Sequence, residues 1–146
     1  MMDEKKVGYT TGVFDMFHIG HLHILKKAKN HCDYLVVGVS SDELVQSYKG
    51  ITPIIPLSDR MEIIMSLNCV DEVIIQRHRD KKRQFDDIGY DTLFVGDDWQ
   101  GSEIFNELDA YLSKYGAEVT YFPYTQKVSS TQFRRVLEDI HHGEYD

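Results

Sequence analysis

Two periodicities take turns along this chain, and their alternation restricts the fold more than any other feature of the sequence. Residues 7–13, 34–39, 72–75, 92–95 and 118–122 are short runs rich in β-branched and aromatic side chains, the pattern of strands buried on both faces. Between them the spacing becomes helical. Leu22, Leu25 and Ala28 recur every third residue, with Lys26, Lys27 and Lys29 on other faces. Ile63, Ile64 and Leu67 follow Ser58 and Asp59, which offer an N-cap. Ile104, Leu108 and Leu112 mark another helix, ending near Gly116, and Phe133, Val136, Leu137 and Ile140 mark the last. Between Ser41 and Leu57 the reading is a short helix to about Tyr48, then a loop punctuated by Gly50, Pro53 and Pro56. Strands alternating with helices imply right-handed crossovers and a parallel sheet.

The expected architecture is therefore α/β: a Rossmann-like, doubly wound, five-stranded parallel sheet in the order 3-2-1-4-5, with helices on both faces. Ligands of such sheets sit beyond the strand C-terminal ends, where strand order reverses. A length of 146 residues fits one domain spanning 1–146, with a loose tail at 141–146 whose two histidines are read as solvated. The net charge of -8 argues against a nucleic-acid polymer as partner, yet a few cations and helix N-termini suffice for a small anion. No apolar run reaches the ~18 residues of a membrane span, and no secretory signal opens the chain. Cys32 and Cys69 are too isolated for a disulfide framework or metal knuckle and read as reduced thiols. The expected location is the cytoplasm.

The first strand runs into Gly12-Val13-Phe14-Asp15-Met16-Phe17-His18-Ile19-Gly20-His21, and a helix follows at once. This is neither a P-loop nor a GxGxxG turn. Gly20 lets backbone approach a ligand, and the free N–H groups of a first helical turn attract anions. His18 and His21 would add donors there. A zinc reading lacks HExxH and a third ligand at sensible spacing.

The run GVFDMFHIGH resembles the first signature of the cytidylyltransferase branch of the HxGH nucleotidylyltransferases, which act on phosphorylated alcohols such as glycerol 3-phosphate, phosphoethanolamine and phosphocholine. Other blocks keep the family's order: Ser40-Ser41-Asp42-Glu43-Leu44, Tyr48-Lys49-Gly50, Arg60, Val70-Asp71-Glu72-Val73, Gly96-Asp97-Asp98-Trp99 and Val128-Ser129-Ser130-Thr131. Together they run from residue 7 to about 137, and the GDDW block looks most like bacterial glycerol-3-phosphate members.

The resemblance implies attack of a substrate phosphate on the α-phosphorus of a nucleoside triphosphate, with pyrophosphate leaving. Such a nucleophile is already largely dianionic, so alignment and charge neutralisation matter more than a general base. It implies His18, His21 and Lys49 as catalytic. Gly12, Val13, Phe14, Gly20, Arg60, Gly96 and Asp98 are expected at the nucleotide, with Arg60 as a bidentate phosphate clamp. Ser129, Ser130 and Thr131 are expected to meet the β- and γ-phosphates, to cap the last helix, or both. Asp15, Lys49 and Arg79 are expected at the acceptor, and Asp15 is also the candidate protein ligand to a Mg²⁺ held mainly by nucleotide phosphates. Trp99 is assigned equally to core and ligand.

Where relatives read Arg-Thr-Glu-Gly-Ile-Ser-Thr, this chain has Tyr124-Thr125-Gln126-Lys127-Val128-Ser129-Ser130. Tyr124 and Thr125 are then expected beside the base or ribose, and Lys127 supplies the replaced cation. An aromatic residue that relatives carry after Val-Asp-Glu-Val gives way to the basic stretch Arg77-His78-Arg79, which is either a solvated loop or part of an anion pocket. The expected reaction is transfer of CMP from CTP to a small phosphorylated alcohol, glycerol 3-phosphate first, by a homodimer. ATP as donor is the alternative, and a non-catalytic nucleotide-binding domain the second.

Overall fold

The computed structural model describes residues 5–123 together with 135, 137 and 138. Strands β1 (Val7–Gly12), β2 (Tyr34–Ser40), β3 (Glu72–Gln76), β4 (Thr92–Gly96) and β5 (Glu118–Phe122) form one parallel sheet in the order β3-β2-β1-β4-β5. This is the expected order, and each strand ends within one residue of its expected bound. Strand order reverses beside β1, which pairs with β2 on one side and β4 on the other.

Helices α1 (Ile19–Asn30), α2 (Asp42–Lys49), α3 (Leu57–Met65), α4 (Lys81–Ile88) and α5 (Glu103–Ser113) connect the strands. The two-residue side-chain period of the strands divides the core between the two faces. Leu25, Ala28 and Ile64 pack from α1 and α3 against Leu35, Val37 and Val39. Phe105, Leu108 and Leu112 of α5 pack against Tyr9, Val36 and Leu93 on the other face.

The edge where the strands begin is stitched by aspartates. Asp33, one residue before β2, accepts from Lys6 N; Asp71, before β3, accepts from Leu35 N; Asp91, before β4, accepts from Val7 N, each at 2.8 Å. Lys29 also donates to Asp71.

Helix details depart from the sequence reading. Helix α3 starts at Leu57 behind Pro56, which gives no side-chain cap, so Ser58 and Asp59 lie inside the first turn. Its buried face is Arg60 and Ile64, one turn apart; Ile63 is exposed and Leu67 follows the helix. In α5, Phe105 rather than Ile104 joins Leu108 and Leu112 in the core, and Ile104 is 69% exposed. Helix α4 was not expected, because KKRQFDDI has almost no apolar stripe. Its ends carry the signals instead: Asp80 caps Lys82 N and Arg83 N, and Gly89 closes it with φ 71°. Residues 135, 137 and 138 are helical, and the rest of the expected last helix and the 141–146 tail lie outside the described residues. Cys32 and Cys69 are free thiols. No helix among the described residues is long and apolar enough to cross a membrane.

Candidate active site

The turn from β1 into α1 is bent at two unusual positions. Phe14 and Met16 have φ of 55° and 48°, left-handed values that cost a bulky residue about 1–3 kcal/mol each. Asp15 between them is 4% exposed, and its oxygens accept from Ile54 N at 2.8 Å and Ile55 N at 2.9 Å. The loop before α3 is thereby hung on the β1–α1 turn.

Beyond this bend, His18 and His21 start α1 by capping each other's backbone. His18 Nδ1 accepts from Gly20 N at 3.0 Å, and His21 Nδ1 accepts from His18 N at 3.2 Å. The same reciprocal logic operates in a Ser–Glu capping box. With both Nδ1 lone pairs committed, the neutral rings carry their protons on Nε2. The rings stack with centroids 4.0 Å apart, and His21 also packs on Phe17 and Phe14. Burial, then the neighbouring His18, push the His21 pKa down to about 4 against the opposing pull of Asp15. Burial lowers that of His18 as well. At neutral pH the pair is therefore two uncharged N–H donors rather than two cations. Such donors stabilise charge growing on phosphoryl oxygens without requiring a proton to be lost or gained.

Arg60 was expected to clamp a phosphate, and the structure corrects this. Its side chain is buried, 1% exposed for the residue, and its guanidinium fans out to the protein itself. Nε donates to Ile55 O, Nη1 donates to Val13 O and Ser40 O, each at 2.8 Å, and Nη2 pairs with Asp42. Arg60 is a positioning residue that ties the ends of β1 and β2 to α3.

A cavity of about 610 Å³ opens across the C-terminal ends of the strands, where the switch in strand order places a ligand crevice. Of the expected site residues, Gly12, Gly96 and Arg79 form part of its wall. From α1 the wall takes Ile24, one turn beyond His21, while His18 and His21 themselves do not line this cavity. Arg79 lies with its guanidinium 4.3 Å from the ring centre of Tyr48, another wall residue. Lys49 ends α2 rather than lying in a loop; it is exposed, with its ammonium 5.8 Å from the same ring. Asp98 folds back toward Gly96, so close that a Cβ at Gly96 would lie 2.7 Å from Oδ1. Trp99 lines the cavity while remaining largely exposed. Tyr124, Thr125, Lys127, Ser129, Ser130 and Thr131 lie outside the described residues.

Several wall residues escaped the sequence reading, Gln76, Lys81 and Gln84 among them. Gln76 closes β3, while Lys81 and Gln84 come from the unexpected α4. Lys81 Nζ donates to Thr11 Oγ1 at 3.1 Å; burial, then the charge of Arg79, push its pKa down to about 8. Asp80 followed by lysine was the available signal, a cap with the first helical residue behind it.

A Mg²⁺ ion needs several oxygen ligands in near-octahedral array. Among the described residues no group of three or more His, Cys, Asp or Glu side chains is placed to hold a metal, and Asp15 spends its oxygens on two backbone N–H groups. These residues do not fit a protein-built Mg²⁺ cage, and the metal role expected for Asp15 is replaced by tethering of the loop.

A doubly wound sheet whose first strand turns through an HxGH helix start defines a nucleotidyltransferase. The chain belongs to the cytidylyltransferase-like family, whose model matches residues 9–136. It is 39% identical over 140 residues to the glycerol-3-phosphate cytidylyltransferase of Bacillus spizizenii, covering 93% of this chain and 99% of that protein. An FAD synthase from Thermococcus kodakarensis is 37% identical over 134 residues, covering 88% of this chain and 87% of its own. Among solved structures, a lipopolysaccharide core biosynthesis protein from Thermoplasma volcanium superposes with a TM-score of 0.70 at 30% identity, over 86% of this chain and all of that one (100%).

Proposed function

We propose that this enzyme transfers CMP from CTP to the phosphate of a small phosphorylated alcohol, with glycerol 3-phosphate as the leading acceptor. An acceptor phosphate oxygen attacks the α-phosphorus, the α–β P–O bond breaks, and pyrophosphate leaves with the electron pair. The observation that carries the reading is the His18–His21 pair, whose mutual capping leaves two Nε2–H donors at the first strand-to-helix turn. Donors of this kind suit a phosphoryl transfer in which positioning and electrostatics supply most of the catalysis. The near full-length likeness to a glycerol-3-phosphate cytidylyltransferase supports the choice of both substrates. Mg²⁺ enters with the nucleotide as its counter-ion, and Lys49, Lys127 and the residues 129–131 complete the phosphate contacts in this reading.

A second reading, adenylyl transfer from ATP, is favoured by the likeness to an FAD synthase. The deciding experiment incubates the purified chain with CTP or ATP, Mg²⁺ and glycerol 3-phosphate, and follows pyrophosphate release and the ³¹P spectrum of the product. CDP-glycerol from CTP is expected. Faster turnover of ATP would install the second reading, and no pyrophosphate with either nucleotide would reject both. We further propose that two copies pair as a homodimer; a monomer by light scattering at micromolar concentration would refute this.

A further inference from the structure

Lys81 is the first residue of α4, and it forms part of the wall of the strand-end cavity. Its Nζ donates to Thr11 Oγ1 on β1 at 3.1 Å, a neutral partner. No carboxylate joins it in the wall. The other titratable groups of the described wall are Tyr48, His78 and Arg79. Asp80, next to Lys81 in the chain, spends Oδ1 on Lys82 N and Arg83 N as the helix cap. Among the described residues no salt bridge includes Lys81. A cation so placed is half-buried, meets the like charge of Arg79, and stands at the helix end that disfavours positive charge.

Each of these features favours the neutral amine, and burial, then Arg79, bring its pKa down to about 8. A desolvated lysine beside a second cation is one way in which proteins make an amine nucleophilic near neutral pH. The cavity supplies the approach, and its volume of about 610 Å³ leaves room for an added group. Nucleotidyl transfer leaves this nucleophile unused, because its attacking atom is a phosphate oxygen of the acceptor.

We propose that Lys81 is a site of N-acylation by small acyl phosphates, and that the acylated chain is a down-regulated form of the enzyme. The Nζ lone pair attacks the acyl carbon and a C–N bond forms. The bond from that carbon to the phosphate oxygen breaks, inorganic phosphate leaves with the electron pair, and the surplus proton of the amine passes to solvent. Arg79 and the absence of carboxylates from the described wall favour an anionic acyl donor over a cationic one. The product amide is neutral, so the wall loses a cation and gains an acyl group. The modification site stands on the surroundings of Lys81, whereas the down-regulation rests on the nucleotidyl-transfer reading above.

The test incubates the full chain with acetyl phosphate and follows acylation of Lys81, and of the exposed Lys82 beside it, by mass spectrometry. Near neutral pH Lys81 is expected to react about tenfold faster than Lys82. Its rate should level off above about pH 8. In guanidinium chloride the advantage should vanish, since the fold and not the local sequence creates it. Equal rates at the two lysines of the folded chain overturn the site. Transfer of CMP to glycerol 3-phosphate should fall in step with the acylated fraction of Lys81. Lys81→Arg keeps the cation without the amine, and it should retain its own untreated activity under the same dose. A loss in that variant equal to the wild-type loss overturns the down-regulation. The labelling comparison needs neither a variant nor turnover. A chain that transfers no CMP before treatment therefore overturns the parent reading and the down-regulation with it, while labelling still decides the site.

Discussion

Arg60 donates through Nη1 to the backbone oxygen of Val13 at 2.8 Å, and by that bond α3 grips the strained turn that leads to His18. Asp15 grips in the reverse direction, from the turn to Ile54 and Ile55. The two side chains lock one loop against the other. Left-handed backbone at Phe14 and Met16 persists because this lock over-determines it.

Arg60→Ala is therefore expected to act on stability. Three main-chain oxygens and Asp42 lose their donor together, a loss of about 3 kcal/mol or more. Lysine keeps the charge but not the fan of donors, so Arg60→Lys should recover only part of it. Urea unfolding measures both. A lysine variant of wild-type stability with weakened CTP binding would return Arg60 to the phosphate.

One substitution should separate the capping by His18 from the catalytic role proposed for it. In His18→Asn the amide oxygen can still accept from Gly20 N, but the Nε2–H donor is gone. The thermal midpoint should stay within a few degrees of wild type while kcat falls on the order of 10²-fold or more. Wild-type kcat in this variant would confine the residue to capping.

The His21 pKa of about 4 fixes the sign of the pH dependence. Its folded pKa is below the unfolded value, so the native state binds fewer protons between about pH 4 and 6.5. Stability accordingly rises with pH through that window and is lost on acidification. The donors are in their working, neutral form throughout the range above it, so kcat should show no histidine limb between about pH 6 and 8. A kcat that halves on passing pH 6.5 upward would show instead that a cationic imidazole is required.

The sheet was legible because its signal is local and repeated: each apolar run is bounded, and buried parallel strands need little else. The helices were legible only in part. Ile104 and Phe105 are adjacent and both apolar, and spacing alone does not decide which faces the sheet. Arg60 was misassigned because a guanidinium satisfied by main-chain oxygens leaves no trace in the sequence. Lys81 and Gln84 were missed because α4 is held by its caps and one buried edge rather than by an apolar stripe, and Gln76 because a glutamine that ends a strand adds nothing to its apolar run. The turn containing His18 and His21 was located correctly, while the atoms they use, and hence their charge, required coordinates.

Gly38→Ala should disturb the packing of Tyr9 on Gln76. The added methyl meets Tyr9 Oη and Gln76 Cγ, and relieving the overlap costs about 1–3 kcal/mol. The thermal midpoint is expected to fall by a few degrees. A thermal melt reads the effect, and an unchanged midpoint would show that the two side chains yield freely.

Chelation should separate turnover from folding. EDTA is expected to abolish transfer while leaving the thermal midpoint of the nucleotide-free protein unmoved, because the described residues form no cage for the ion. A melt that rises with added Mg²⁺ alone would reveal a protein-held site.

The aspartate stitches at Asp33, Asp71 and Asp91 have a consequence for how this molecule can change. Register is set at the edge where strands begin, by side chains that touch no cavity wall. Toward the opposite edge the side-chain ties differ in kind: the lock around Arg60, Thr10 Oγ1 donating to Phe94 O, and Lys81 donating to Thr11. Substitutions after β3 and in the first turn of α4 are thus expected to reshape the cavity wall without re-specifying the sheet, which makes that edge the place to graft a new specificity.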